Sequence, residues 1–115
     1  MNKPMSEPET PPNYFGKEEQ LARLSFFKEQ VRSLKNRCFD PNGNLKSEAY
    51  NKDPDLKVQK FSELIFKIEE VARDVNLGIS LDSHPKYDTN YIENRINELR
   101  EYVISLGLLK EGETI

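Results

Sequence analysis

One cysteine in 115 residues, Cys38, excludes an intramolecular disulfide framework and fits a reducing compartment. One histidine, His84, stands with no second histidine or cysteine near it in the chain, so no zinc-ligand spacing exists. Long apolar runs are missing too, none approaching the roughly 18 residues that cross a bilayer. The stretch "MNKPMSEPETPPNYFG" lacks the apolar centre of a signal peptide and is too acidic and Arg-free for a transit peptide. The expectation is a cytoplasmic protein with no membrane partner.

The usual signatures of chemistry are absent as well. There is no phosphate-cradling glycine loop, no G-x-S-x-G and no H-E-x-x-H. A di-metal bundle site needs inward carboxylates and Glu-x-x-His pairs, and the chain has no such pair. Glu69, Glu70 and Asp74 lie off the apolar stripe of their helix and read as a solvated acidic face. No catalyst, cofactor or metal is expected, and His84, within "SHPKYD", is expected to be an exposed loop residue.

Excess positive charge is lacking overall. The net charge of −3 and pI of about 5.3 argue against bulk binding to nucleic acid or anionic lipid. The distribution is uneven, however. Residues 17–39 carry six basic and three acidic side chains, and residues 40–115 carry ten basic and fifteen acidic ones. A basic first segment beside an acidic remainder fits a helix that docks against acidic neighbours.

What is present is helical periodicity. Residues 1–13 hold four prolines and no apolar residue after Met5, and are expected to form a disordered, partly polyproline-II tail. "PETP" at 8–11 matches P-x-x-P, but its flanks are Glu7 and Glu9 rather than the basic residue such ligands carry. Gly16 can cap a helix whose first turn holds Glu18 and Glu19, with Phe15 packing back as a staple near Leu21. Leu24, Phe27, Val31, Leu34 and Cys38, spaced 3, 4, 3, 4, predict a helix over 17–38 and place Cys38 in the core as an inert thiol.

A second helix is expected over 54–77. Asp53 caps it, Pro54 takes its first position, and its stripe is Val58, Phe61, Ile65, Ile68, Ala72 and Val75. Leu64 and Val71 widen that stripe, which makes this the expected central helix. A third helix is expected over 90–106, capped by Asp88, Thr89 or Asn90, the last with a capping-box spacing to Glu93, and running through Ile92, Ile96, Leu99, Val103 and Leu106. "NLGI" and "LGLL" supply matching stops with a left-handed glycine, Gly78 and Gly107. The expected fold is all-α: a three-helix bundle over 14–109, with shallow crossings of roughly 20°, followed by a polar tail over 110–115. A helical hairpin that completes its core as a homodimer is the alternative.

Between the first two helices lies "FDPNGNLKSEAYNKDPD". Counted as a calcium loop from Asp40, it has Leu45 where the turn glycine belongs and Asn51 where the bidentate Glu belongs. It reads instead as a joint: a tight turn at Pro41-Asn42-Gly43, then one short helical turn that lays Leu45, Ala49 and Tyr50 over the bundle end.

A chain with apolar stripes and no catalytic constellation is expected to be a non-enzymatic adaptor or regulatory subunit that binds a protein partner. Phe26, Phe66 and Tyr102, left over from the stripes, are the candidate contacts, with burial in the same core as the competing reading for the two phenylalanines. The alternative is a nucleic-acid-associated regulator that uses Lys28, Arg32, Lys35 and Arg37. A third class is a structural subunit of a larger phage, plasmid or organelle assembly.

Overall fold

A computed structural model describes residues 16–113; the expected Pro-rich tail and the Phe15 staple lie outside the described residues. Four helices follow in order: α1 (Lys17–Cys38), α2 (Ser47–Lys52), α3 (Gln59–Asn76) and α4 (Thr89–Ser105), with a 3₁₀ turn at Leu81–Ser83 before α4. The three long helices form the expected all-α bundle, and no strand occurs among the described residues.

The first helix starts and ends as its sequence requires. The Gly16 N–H donates to Glu19 Oε1 at 3.4 Å, Glu18 and Glu19 occupy the positive end, and Lys35 and Arg37 the negative end. Leu24, Phe27, Val31, Leu34 and Cys38 are all buried. This helix, rather than α3, is the central one: α3 and α4 both pack on α1 and touch each other only sparingly. The seam of α3 also turns. Phe61, Leu64, Ile68, Val71 and Val75 are buried, whereas Val58, Ile65 and Ala72 are only half-buried, so the helix is rotated toward its Leu64–Val71 side.

Both Asp-Pro steps build the same β-turn, and that shortens the second long helix. Gly43 N–H donates to the Asp40 carbonyl at 2.9 Å, and Leu56 N–H donates to the Asp53 carbonyl at 3.2 Å. In each turn Asp stands first and Pro second, the positions they favour. Asp40 Oδ1 also accepts the Asn42 and Asn44 N–H groups at 2.9 Å each. An antiparallel bridge from Phe39 to Leu45 then closes the joint. At the second turn the expected helix start at Pro54 does not occur. Asp53 instead terminates α2, its N–H reaching the Ala49 carbonyl at 2.8 Å, and Leu56 dips into the core before α3 begins at Gln59. Of the short helix α2, Ala49 is buried while Tyr50 stays exposed.

The two stops are Schellman motifs. Ile79 N–H donates to the Asp74 carbonyl at 2.9 Å and Gly78 N–H to Val75 at 3.0 Å; Leu108 donates to Val103 at 3.2 Å and Gly107 to Ile104 at 2.9 Å. Of the three expected caps of α4 it is Asp88 that serves: its Oδ1 accepts the Tyr91 N–H at 2.9 Å. Gln20, buried near the start of α1, ties the α3–α4 connection down: its Oε1 accepts the Leu81 N–H at 2.7 Å.

Beyond α4 the chain does not simply trail away. Arg37 donates to the Leu108 carbonyl and to Glu113 Oε2 at 3.0 Å each, and Arg100 donates to the Glu113 carbonyl at 2.5 Å. Residues 110–113 thus form a turn held against α1 and α4, and the Glu113 carboxyl is held below its ordinary pKa by the Lys110 N–H and by Arg37.

Candidate interaction surface

Phe26 and Phe27 are neighbours in sequence with opposite fates. One helical step turns about 100°, so only one of two adjacent residues can face a given seam. Phe27 is 4% exposed and Phe26 60% exposed. Burial of Phe26 in the common core is thereby excluded. Its ring instead flanks a groove of about 360 Å³ between α1 and α4. Phe27 and Ile96 floor this groove, Gln30 and Asn97 rim it, and Glu93 and Arg100 supply one charge of each sign.

Phe66, at 66% exposure, is likewise outside the core. It projects from the side of α3 opposite the buried seam, because five residues from Phe61 is about 140° of rotation. Tyr102 differs from both. It is half-buried, its hydroxyl donates to the Asp53 carboxylate, and Lys60 Nζ lies 4.5 Å from its ring centroid. Burial, with the Asp53 bond second, pushes its phenol up to about 12. Tyr102 therefore ties α4 to the end of α2 rather than standing free as a contact.

Lys28, Arg32 and Lys35 share one face of α1, within about 60° of one another, and Arg37 does not join them. Arg37 lies nine residues from Lys28, about half a turn away around the helix, so the two face opposite flanks. Lys28 Nζ reaches Glu69 at 3.5 Å, Arg32 reaches Glu29 at 2.6 Å, and Arg37 is taken by Glu113. Among the described residues, only Lys35 of these four has no acidic partner. Lys28 and Arg37 thus dock against acidic side chains of other elements, whereas Arg32 pairs within α1.

His84 overturns the expectation of an exposed loop residue. Its side chain is 1% exposed and its Nε2 lies 2.7 Å from Asp74 Oδ2. Nδ1 accepts the N–H groups of Lys86 at 3.1 Å and Tyr87 at 3.0 Å, which leaves the proton on Nε2, donated to Asp74. The ring stacks on Tyr87, which packs on Tyr91, and Lys67 donates to the Tyr91 hydroxyl at 3.0 Å. That hydrogen bond holds the Lys67 ammonium above its ordinary pKa. The acidic face expected to be solvated is thus engaged across elements: Glu69 with Lys28, Glu70 with Lys86 at 3.5 Å, and Asp74 with His84. Loop composition hid this cluster, and the one available signal was a histidine directly before a proline in an otherwise capped connection.

Among the described residues, no three His, Cys, Asp or Glu side chains are arranged to hold a metal ion, and no helix is long and apolar enough to cross a membrane. The fold defines a small all-α bundle. No family model matches the chain, and neither a curated protein nor a solved structure matches it significantly.

Proposed function

We propose that the protein is a non-enzymatic helical interaction module, an adaptor or regulatory subunit of the cytoplasm, that binds a protein partner through the groove between α1 and α4. The observation that supports this reading is Phe26, an aromatic ring 60% exposed beside a groove with an apolar floor. Keeping such a ring in water forgoes roughly 1.5–3 kcal/mol of burial. A polar rim around an apolar centre is the composition of protein-binding surfaces. The partner this groove fits is a helix or extended segment that presents one apolar side chain to Phe26, Phe27 and Ile96, with Glu93 and Arg100 available for its polar flanks.

The test is affinity capture from native lysate, with and without nuclease, comparing the natural chain with Phe26→Asp. A stoichiometric protein that survives nuclease and is lost with Phe26→Asp is the expected result. Partners that vanish with nuclease, or capture indifferent to Phe26, contradict it.

A further inference from the structure

The outward side of α3 carries a second heptad stripe: Phe66, Glu70, Arg73 and Leu77, spaced 4, 3, 4. At about 100° per residue the four lie within about 60° of one another, on the side away from the buried seam. Leu77 at 80% and Phe66 at 66% are the two most exposed large apolar side chains among the described residues. Arg73 is exposed and forms no ion pair among the described residues. Among the described residues Glu70 pairs only with Lys86, at 3.5 Å, in a surface pair of the kind that contributes little.

The order of these residues is self-complementary. Apolar, acid, base, apolar reads the same in chemical terms from either end once acid meets base. Two copies of α3 laid antiparallel about a dyad between Val71 and Ala72 put Phe66 level with Leu77 of the second copy and Glu70 level with Arg73 of the second copy. Each match occurs twice, as a two-fold interface requires. In heptad terms every pair joins an a position to a d position, the pairing of an antiparallel seam.

We infer that α3 is a homodimerisation surface, and that its occupant is the α3 of a second copy of this chain. The two Phe66–Leu77 contacts cover the apolar ends, and the two Glu70–Arg73 pairs set the register and the antiparallel direction. The stripe is about 16 Å long and one helix wide, below the roughly 1,200–2,000 Å² of a standard interface, so the dimer is a weak and concentration-dependent one. This inference is independent of the Phe26 groove, which lies between α1 and α4 and stays open in the dimer.

Sedimentation equilibrium of the purified full chain from about 10 µM to about 1 mM tests it. A monomer–dimer equilibrium is expected for the natural chain. Glu70→Arg and Arg73→Glu each place like charges across the dyad and should weaken dimerisation about tenfold or more. The double variant E70R/R73E restores opposite charges and should restore the dimer. The two single variants, mixed, should form a one-to-one heterodimer. Phe66, Arg73 and Leu77 are exposed and Glu70 is half-buried beside Lys86, and circular dichroism checks that each variant keeps its helices. A natural chain that stays monomeric to about 1 mM overturns the inference and assigns the stripe to a different chain. Dimers indifferent to the single reversals, or a double variant that stays monomeric, overturn it as well.

Discussion

His84 Nε2 sits 2.7 Å from Asp74 Oδ2, and this contact locks the C-terminal turn of α3 to the connection that leads into α4. The imidazole is satisfied at both nitrogens while its side chain is almost wholly out of water. It therefore works as a buried bracket, accepting the backbone N–H groups of Lys86 and Tyr87 in the connection that follows it.

Removing that bracket should destabilise the bundle. His84→Ala leaves the Lys86 and Tyr87 N–H groups without an acceptor and opens a cavity beside Tyr87, a cost of about 2–4 kcal/mol in urea unfolding. His84→Asn places an oxygen near the Nδ1 position and should cost clearly less than His84→Ala. Equal losses for the two variants would mean that the bonds to Lys86 and Tyr87 are not what the ring provides.

Cys38 should resist alkylation in the native state. Burial pushes its thiol up to about 11, and none of its surface is exposed. Because the folded value is raised, the stabilising difference is fully present below the ordinary thiol range. It is lost as pH rises from that range toward about 11. Tyr102, pushed up to about 12, acts in the same direction. Stability measured from pH 8 to pH 11 should fall, and iodoacetamide at pH 8 should label Cys38 only when urea unfolds the chain. Rapid labelling without denaturant would contradict the buried placement.

The two phenylalanines of α3 should respond in opposite ways. Phe61 is fully buried, so Phe61→Ala should cost about 3–5 kcal/mol. Phe66 faces solvent, so Phe66→Ala measured at low protein concentration should stay within about 0.5 kcal/mol of the natural chain. Thermal unfolding of the pair measures the rotation of α3 directly.

Gly78 and Gly107 hold φ of +100° and +77° in the two Schellman stops. An alanine at either position keeps its hydrogen bonds only by adopting the left-handed region, at about 1 kcal/mol. The same cost at both sites in denaturant titrations is expected. An unchanged midpoint for both would show that the stops are not held in this conformation.

Much of this architecture is legible in the sequence, for physical reasons that also mark where legibility ends. The heptads of α1 and α4 and the two glycine stops depend only on local spacing and on positive φ, which one-dimensional patterns encode. Asp53-Pro54, read as a helix start, forms a β-turn instead: Asp-Pro suits both, and the burial of Leu56, a tertiary effect, decides for the turn. The central position of α1 depends on which helices meet, which no single stripe reveals. His84 gave no periodic signal because its partners are an aspartate ten residues back and two backbone N–H groups. The stripe that held Phe27 did place Phe26 beside the seam; how far it reached into solvent depended on α4 leaving the groove open.

The central claim is that Phe26 faces a partner while Phe27 faces the core. Thermal unfolding and partner capture measured together on Phe26→Ala and Phe27→Ala test it most directly. The account predicts that Phe26→Ala unfolds within about 2 °C of the natural chain and loses the captured protein, while Phe27→Ala is destabilised by about 3–5 kcal/mol. A Phe26→Ala chain that melts as early as Phe27→Ala, or that keeps its partner, would contradict it.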